Sequence, residues 1–167
     1  MPVLVPQASA NSRSLIETLL TRAIPHALSL ATSTTIYLPS MHRILAADDD
    51  PLQLDFRKSV LETGGHAVVS TLSVRATTRA LEDGRFDLII MDLRFPNVQG
   101  QSDSREGLRL IRQIRELDSK VPIIVLSGWP ADIEGQPEEK MVTRVLLKTI
   151  KPTALLEAAR ELLPAIP

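Results

Sequence analysis

Phe86-Asp-Leu-Ile-Ile-Met-Asp92 is a nearly unbroken apolar run that ends on a carboxylate. A run this short and this apolar reads as a strand covered on both faces, the habit of parallel sheets. Three other runs share the form: Arg43-Ile-Leu-Ala-Ala47 before Asp48-Asp49, Val121-Pro-Ile-Ile-Val-Leu126 before Ser127, and Arg144-Val-Leu-Leu147 before Lys148. With His66–Thr71 they predict five strands: Ile44–Ala47, His66–Thr71, Phe86–Met91, Val121–Leu126 and Val142–Leu147. Helices are expected between them at Leu52–Thr63, Ser73–Glu82 and Glu106–Leu117, and after them at Thr153–Leu163. Asp50 is a good N-cap with Pro51 behind it, Gly64-Gly65 and Gly84 are stops, and Pro152 opens the last helix. Leu108, Ile111, Ile114 and Leu117 fall on one face of the third helix. Between the fourth and fifth strands, Pro130, Gly135 and Pro137 leave room for only a shortened fourth helix. Such alternation implies right-handed βαβ crossovers and an α/β, flavodoxin-like, doubly wound parallel sheet of order 2-1-3-4-5.

Composition agrees and excludes several alternatives. Of 167 residues, 44% are hydrophobic, enough for a packed core, and the net charge of -1 carries no nucleic-acid footprint. The chain has no cysteine, which removes disulfides, zinc–thiolate sites and thiol catalysis. No apolar run approaches the ~20 residues needed to cross a bilayer, so no membrane insertion and a cytoplasmic location are expected. The chain divides near Met41. Residues 1–40 are rich in Ser, Thr, Pro and Ala, with Glu17 the one acidic residue and Arg13 and Arg22 the two arginines. Helical periodicity over Ser14–Leu30 is interrupted by Pro25. These residues read as a flexible extension, or as an over-extended reading frame with the native start at Met41. Mass spectrometry of the native N-terminus decides between them, since any peptide from 1–40 ends the second reading. Residues 41–163 form the predicted domain and 164–167 a tail.

In the predicted topology the first and third strands are adjacent and the switch point lies between their carboxyl ends, where ligands of open α/β sheets bind. Asp48, Asp49 and Asp92 converge there, with Ser127 and Lys148 on neighbouring strand ends. Two unit charges ~4 Å apart repel by about 4 kcal/mol at an effective dielectric near 20. Such a cluster therefore shares a proton or binds a cation. Oxygen ligands without His or Cys favour a hard ion such as Mg²⁺. Lys148 suits a phosphoryl oxygen as a point charge, and Ser127 is a further donor. The constellation fits electrostatic stabilisation of a transferring phosphoryl group.

Residues 42–163 resemble the response-regulator receiver domain of two-component signalling. The segments that carry the resemblance are Ile44-Leu-Ala-Ala-Asp-Asp-Asp-Pro51, Asp87-Leu-Ile-Ile-Met-Asp-Leu-Arg-Phe-Pro96, Pro122-Ile-Ile-Val-Leu-Ser-Gly128 and Val145-Leu-Leu-Lys148. The resemblance implies that Asp92 is the phosphoacceptor, attacking the phosphohistidine of a histidine kinase or histidine phosphotransfer protein. It implies Mg²⁺ held by Asp49, Asp92 and the backbone carbonyl of Arg94, with Asp48 holding a metal-bound water or assisting as a second carboxylate. Ser127 takes the place of the switch hydroxyl, and Lys148 that of the lysine pairing first with the acceptor and then with the phosphoryl group. Arg94 and Trp129, two residues beyond acceptor and switch hydroxyl, fall where side chains in the family tune hydrolysis. Only Pro164–Pro167 follow the last helix, so a receiver without an output domain, acting on a downstream protein target, is expected.

Plainer readings stand beside these. Asp50 reads as a helix cap; Asp48 or Asp49 alone as a solvated loop carboxylate; Ser127 as a strand end; Trp129 as cover for the pocket edge. Lys151-Pro152 is the family's Lys-Pro dipeptide, but alignment of strand and last helix favours Lys148. His26, His42 and His66 read as structural or exposed, and Arg105, Arg109, Arg112 and Arg115 as a solvated helix face. Departures from the family are Lys148-Thr149 where it has a cis Lys-Pro bond, and Val145 at the switch-aromatic position. The loop after Asp92 is also lengthened by Gln101–Glu106, beside the pocket. A cis bond without proline costs about 2.5–4 kcal/mol, which leaves open a trans bond with Lys148 placed differently. Two other activities compete: a pseudo-receiver that binds partners without being phosphorylated, and an aspartyl phosphatase of the haloacid dehalogenase type. The latter wants a second Asp two residues after the nucleophile, where Arg94 stands.

Overall fold

A computed structural model describes residues 41–163; the extension over 1–40, the start proposed at Met41 and the tail at 164–167 lie outside the described residues. The elements in chain order are β1 (Arg43–Ala47), α1 (Pro51–Thr63), β2 (Ala67–Thr71), α2 (Val74–Asp83) and β3 (Leu88–Asp92). They continue with β4 (Phe95–Pro96), β5 (Ser102–Asp103), α3 (Ser104–Leu117), β6 (Ile123–Ser127), β7 (Arg144–Leu147) and α4 (Pro152–Leu162). The five longer strands form one sheet in the order β2-β1-β3-β6-β7, every pair parallel. Leaving aside β4 and β5, which pair only with each other, this is the predicted 2-1-3-4-5 order. The fold is flavodoxin-like and doubly wound.

Alternation along the strands sorts the core into two layers. Leu45, Ala47, Ile89, Met91, Ile123 and Val125 pack with Leu110, Ile111 and Ile114 of α3 and with partly buried residues of α2. Ile44, Leu88, Ile90, Ile124 and Leu126 face the other way, onto Leu61 of α1 and Leu155, Ala158 and Ala159 of α4. Each central strand is thus buried on both faces, which is why β3 and β6 read as unbroken apolar runs. The α1 start follows its sequence cues: Asp50 accepts hydrogen bonds from the backbone N–H of Leu52 at 2.9 Å and of Gln53 at 3.2 Å, ahead of Pro51. Gly65, at φ +88, leads the chain out of α1.

Four expectations change. No α-helix forms between β6 and β7; two 3₁₀ turns, Pro130–Asp132 and Pro137–Met141, take its place. Each opens on a proline, and Gly135 at φ +73 separates them, so neither can extend into the other. The lengthened loop after Asp92 closes on itself as the β4–β5 ribbon, its turn held by the Asn97 side chain, which accepts from Gln99 N and Gln101 N. Asp103 then caps α3, which begins at Ser104, two residues before the expected Glu106. Leu117, assigned to the apolar face of α3, is half-exposed, and Leu110 is buried instead.

Candidate functional site

The β1 and β3 backbones pair Ala46 with Ile90 and Ala47 with Met91. This register brings Asp48, one residue past β1, beside Asp92, the last residue of β3. Asp48 and Asp92 are buried and Asp49 half-buried. The three residues each offer a carboxylate oxygen within 4.8 Å of the others. Asp92 pairs in register with Leu126 of β6, so Ser127 ends the adjacent strand, and Ser127 in turn pairs with Leu147 of β7. Lys148 follows directly, and its Nζ lies 2.6 Å from Asp92 Oδ2 and 3.1 Å from Asp48 Oδ2.

All five predicted side chains therefore stand on strand ends at one corner of the sheet. The Lys148–Thr149 bond is trans, as are all bonds of the described residues, and Lys148 still reaches the acceptor. Lys151 is instead the exposed residue before α4. The Ser127 hydroxyl is buried and accepts from the Trp129 N–H at 3.0 Å. The guanidinium of Arg94 lies 4.6 Å from the centre of the Trp129 ring and donates from Nε to Asp132 at 2.7 Å. These residues thus link the loop after β3 to the loop after β6.

One residue at the corner has no counterpart in the sequence reading. Arg57 of α1 is buried and its Nη1 pairs with Asp48 Oδ2. The other oxygen of Asp48 accepts from the Asp50 N–H at 2.9 Å. A signal for it exists in the sequence: Leu54, Arg57 and Leu61 fall on one stripe of α1, and a charge on an apolar stripe needs a buried partner.

Residues 44–160 match the response regulator receiver domain family, well over half of the chain. The chain belongs to that family. Among curated relatives, the receiver is 30% identical over 129 residues to the CAI-1 autoinducer sensor kinase/phosphatase CqsS of Vibrio cholerae, covering 76% of this chain and 18% of that one. It is 32% identical over 97 residues to the virulence transcriptional regulatory protein PhoP of Salmonella choleraesuis, covering 56% of this chain and 40% of PhoP. The chain thus spans less than half the length of either relative. Among solved structures, the response regulator TrrA of Thermotoga maritima, in complex with Mg²⁺–BeF, superposes with a TM-score of 0.64 at 24% identity. That match covers 74% of this chain and all of TrrA. Among the described residues of the receiver, no helix is long and apolar enough to cross a membrane.

Burial sets the acid–base character of the receiver pocket. It raises the Asp92 carboxyl above its ordinary 3.8, and the hydrogen bond from Lys148 only partly opposes this. Burial, reinforced by the neighbouring Asp48, raises Asp49 as well. Lys148 is pulled down by burial, but its contacts with Asp92 and Asp48 outweigh this and leave it above the usual lysine value. A carboxyl raised in the fold is protonated there before it is in the unfolded chain, so its ionised form weakens the fold at neutral pH. Asn imitates the neutral form. Metal-free Asp92→Asn should therefore melt above the metal-free wild type at neutral pH. That advantage should shrink as pH falls through the raised Asp92 value towards 3.8, where the wild type gains the missing proton. Thermal melts in chelator across this range check the sign; an advantage that grows on acidification contradicts it.

The arginines of α3 divide. Among the described residues, Arg105 and Arg109 pair only with the nearby Asp103 and Glu106 and are exposed, as expected. Arg115 corrects the reading: it donates to the carbonyls of Met141, Asp118 and Val121 and ties α3 to the ends of β6 and β7. Arg112 pairs with the buried Glu138 and holds the second 3₁₀ turn against α3. A periodicity argument sees only which side of the helix they occupy, not the carbonyls that loops elsewhere in the chain leave unpaired.

Proposed function

We propose that the chain is a two-component phosphorelay response regulator that accepts a phosphoryl group on Asp92 and signals through protein–protein contacts. The observation that carries this reading is the set of three carboxylates with ligand oxygens inside 4.8 Å, with the Lys148 ammonium 2.6 Å from that of Asp92. An all-oxygen donor set with no His or Cys fits Mg²⁺, which Asp49, Asp92 and the backbone carbonyl of Arg94 would hold, Asp48 reaching it through water. When bound, the ion supplies charge neutralisation to the oxygens of the incoming phosphoryl group.

The Asp92 carboxylate attacks the phosphorus of a phosphohistidine on a histidine kinase or histidine phosphotransfer protein. A P–O bond forms to the carboxylate, and the P–N bond breaks with its electron pair leaving on the imidazole. Lys148 gives up part of its pairing with Asp92 to meet a phosphoryl oxygen. The Ser127 hydroxyl exchanges its bond with the Trp129 N–H for one to the same group. The acyl phosphate carries about -1.5 to -2 charge where the carboxylate carried a single negative charge, and this draws the Ser127–Trp129 loop toward β3 and alters the face seen by a downstream target. Slow hydrolysis of the acyl phosphate resets the domain. Incubating the protein with Mg²⁺ and a small phosphodonor, then weighing it intact, tests the reading. A mass gain of one phosphoryl group that chelator abolishes is expected. No gain, with the fold intact, makes the chain a partner-binding module that is not phosphorylated.

A further inference from the structure

Arg57 occupies a core position of α1, between Leu54 and Leu61 on the same buried stripe. Its Nη1 meets Asp48 Oδ2, the oxygen that Lys148 Nζ also approaches, at 3.1 Å. The remaining Asp48 oxygen accepts from the Asp50 N–H. Both oxygens of Asp48 are thus engaged inside the protein. The Nη2 of Arg57 is buried with no hydrogen-bond partner among the described residues, so the side chain is retained at a cost that its pairing with Asp48 must offset. With Arg57 and Lys148 set against Asp48, Asp49 and Asp92, the corner carries two internal cations for three carboxylates.

We infer that Arg57 is a built-in counter-ion of the phosphoacceptor pocket, a positioning residue that restrains Asp48 to an outer role and weakens the pocket's hold on divalent cations. The inference rests on the Mg²⁺-dependent reading above and deepens it. Without Arg57, a carboxylate whose Oδ2 is held by Lys148 alone would face the ion, its Oδ1 still on the Asp50 N–H, and the pocket would lose one opposing charge. The pairing also keeps the acidic corner ordered without metal, because Asp48 has a partner whether or not an ion is present.

The test measures the Mg²⁺ dissociation constant of unphosphorylated protein by calorimetry, alongside a thermal melt. Arg57→Met should bind Mg²⁺ at least about tenfold more tightly than wild type, since a unit charge within several ångströms of a dication acts through a weakly polarisable interior. Arg57→Lys, which keeps the charge, should stay within a few-fold of wild type. If Arg57→Met does not fold, Arg57→Gln, which keeps a hydrogen-bond donor for Asp48 without the charge, takes its place. It too should bind Mg²⁺ more tightly than wild type. A merely structural Arg57 would lower the melting temperature and leave the Mg²⁺ constant unchanged in both comparisons, and that result overturns the inference. Wild-type protein that neither binds Mg²⁺ nor takes up phosphoryl would overturn the proposed function itself.

Discussion

Asp92→Asn takes up no phosphoryl group from a small phosphodonor in Mg²⁺, a loss expected to be on the order of 10³-fold or more, as for removal of a covalent nucleophile. The amide lacks the anionic oxygen that must bond to phosphorus, and no neighbour can replace it. Asp48 has one oxygen on the Asp50 N–H and the other on Arg57 and Lys148, so neither is free to attack. Asp49 lies on the loop beyond β1, while Asp92 is the carboxylate that Lys148 contacts at 2.6 Å. Replacement also removes a proposed Mg²⁺ ligand. The stabilisation of wild type by metal, about 2.7 kcal/mol at a hundred times its dissociation constant, should largely vanish in the variant. Intact mass after incubation and melts with and without Mg²⁺ measure the two effects. An undiminished mass gain in Asp92→Asn would place the acceptor elsewhere.

Gly107→Ala should unfold the domain far below the wild-type temperature. Gly107 lies in α3, where helix propensity alone would make alanine the better residue by about 1 kcal/mol. A Cβ there would stand 2.0 Å from the Leu93 carbonyl oxygen and 2.7 Å from its carbonyl carbon. Those are backbone atoms of the segment that joins Asp92 to Arg94, with Leu93 itself buried in the core just beyond β3. They cannot swing aside as a side chain does, so α3 must lift or the loop must shift. Overpacking of this kind costs about 3 kcal/mol, roughly 10 °C for a domain of this size. Where the variant still folds, the displaced Leu93–Arg94 backbone should weaken Mg²⁺ binding, since the Arg94 carbonyl is a proposed ligand. A melting temperature equal to or above wild type would show that α3 packs less closely on that loop than the glycine implies.

Much of this was legible residue by residue. Strands covered on both faces must be apolar throughout, so β1, β3 and β6 announce themselves, and helix starts such as Asp50-Pro51 carry their own caps. Polar residues at the ends of such strands have few roles to choose from, and in a doubly wound order they meet at the switch point. That reasoning reaches Asp48, Asp49, Asp92, Ser127 and Lys148 because each is tied to a strand end by at most two residues of chain. Lys148 could be separated from Lys151 on the same ground, since only the former directly follows β7.

What chain order could not supply were contacts between side chains on elements that meet only after folding. Arg57 finds Asp48 because α1 packs across β1 at a rotation set by Leu54 and Leu61 in the core. Arg115 finds three loop carbonyls, and Gly107 meets the Leu93 backbone, through the approach of α3 to the sheet. Periodicity along a chain fixes which face of an element is buried. The depth, tilt and rotation with which two faces interlock follow from the packing of the whole core, and there the charge balance of the acidic corner is settled.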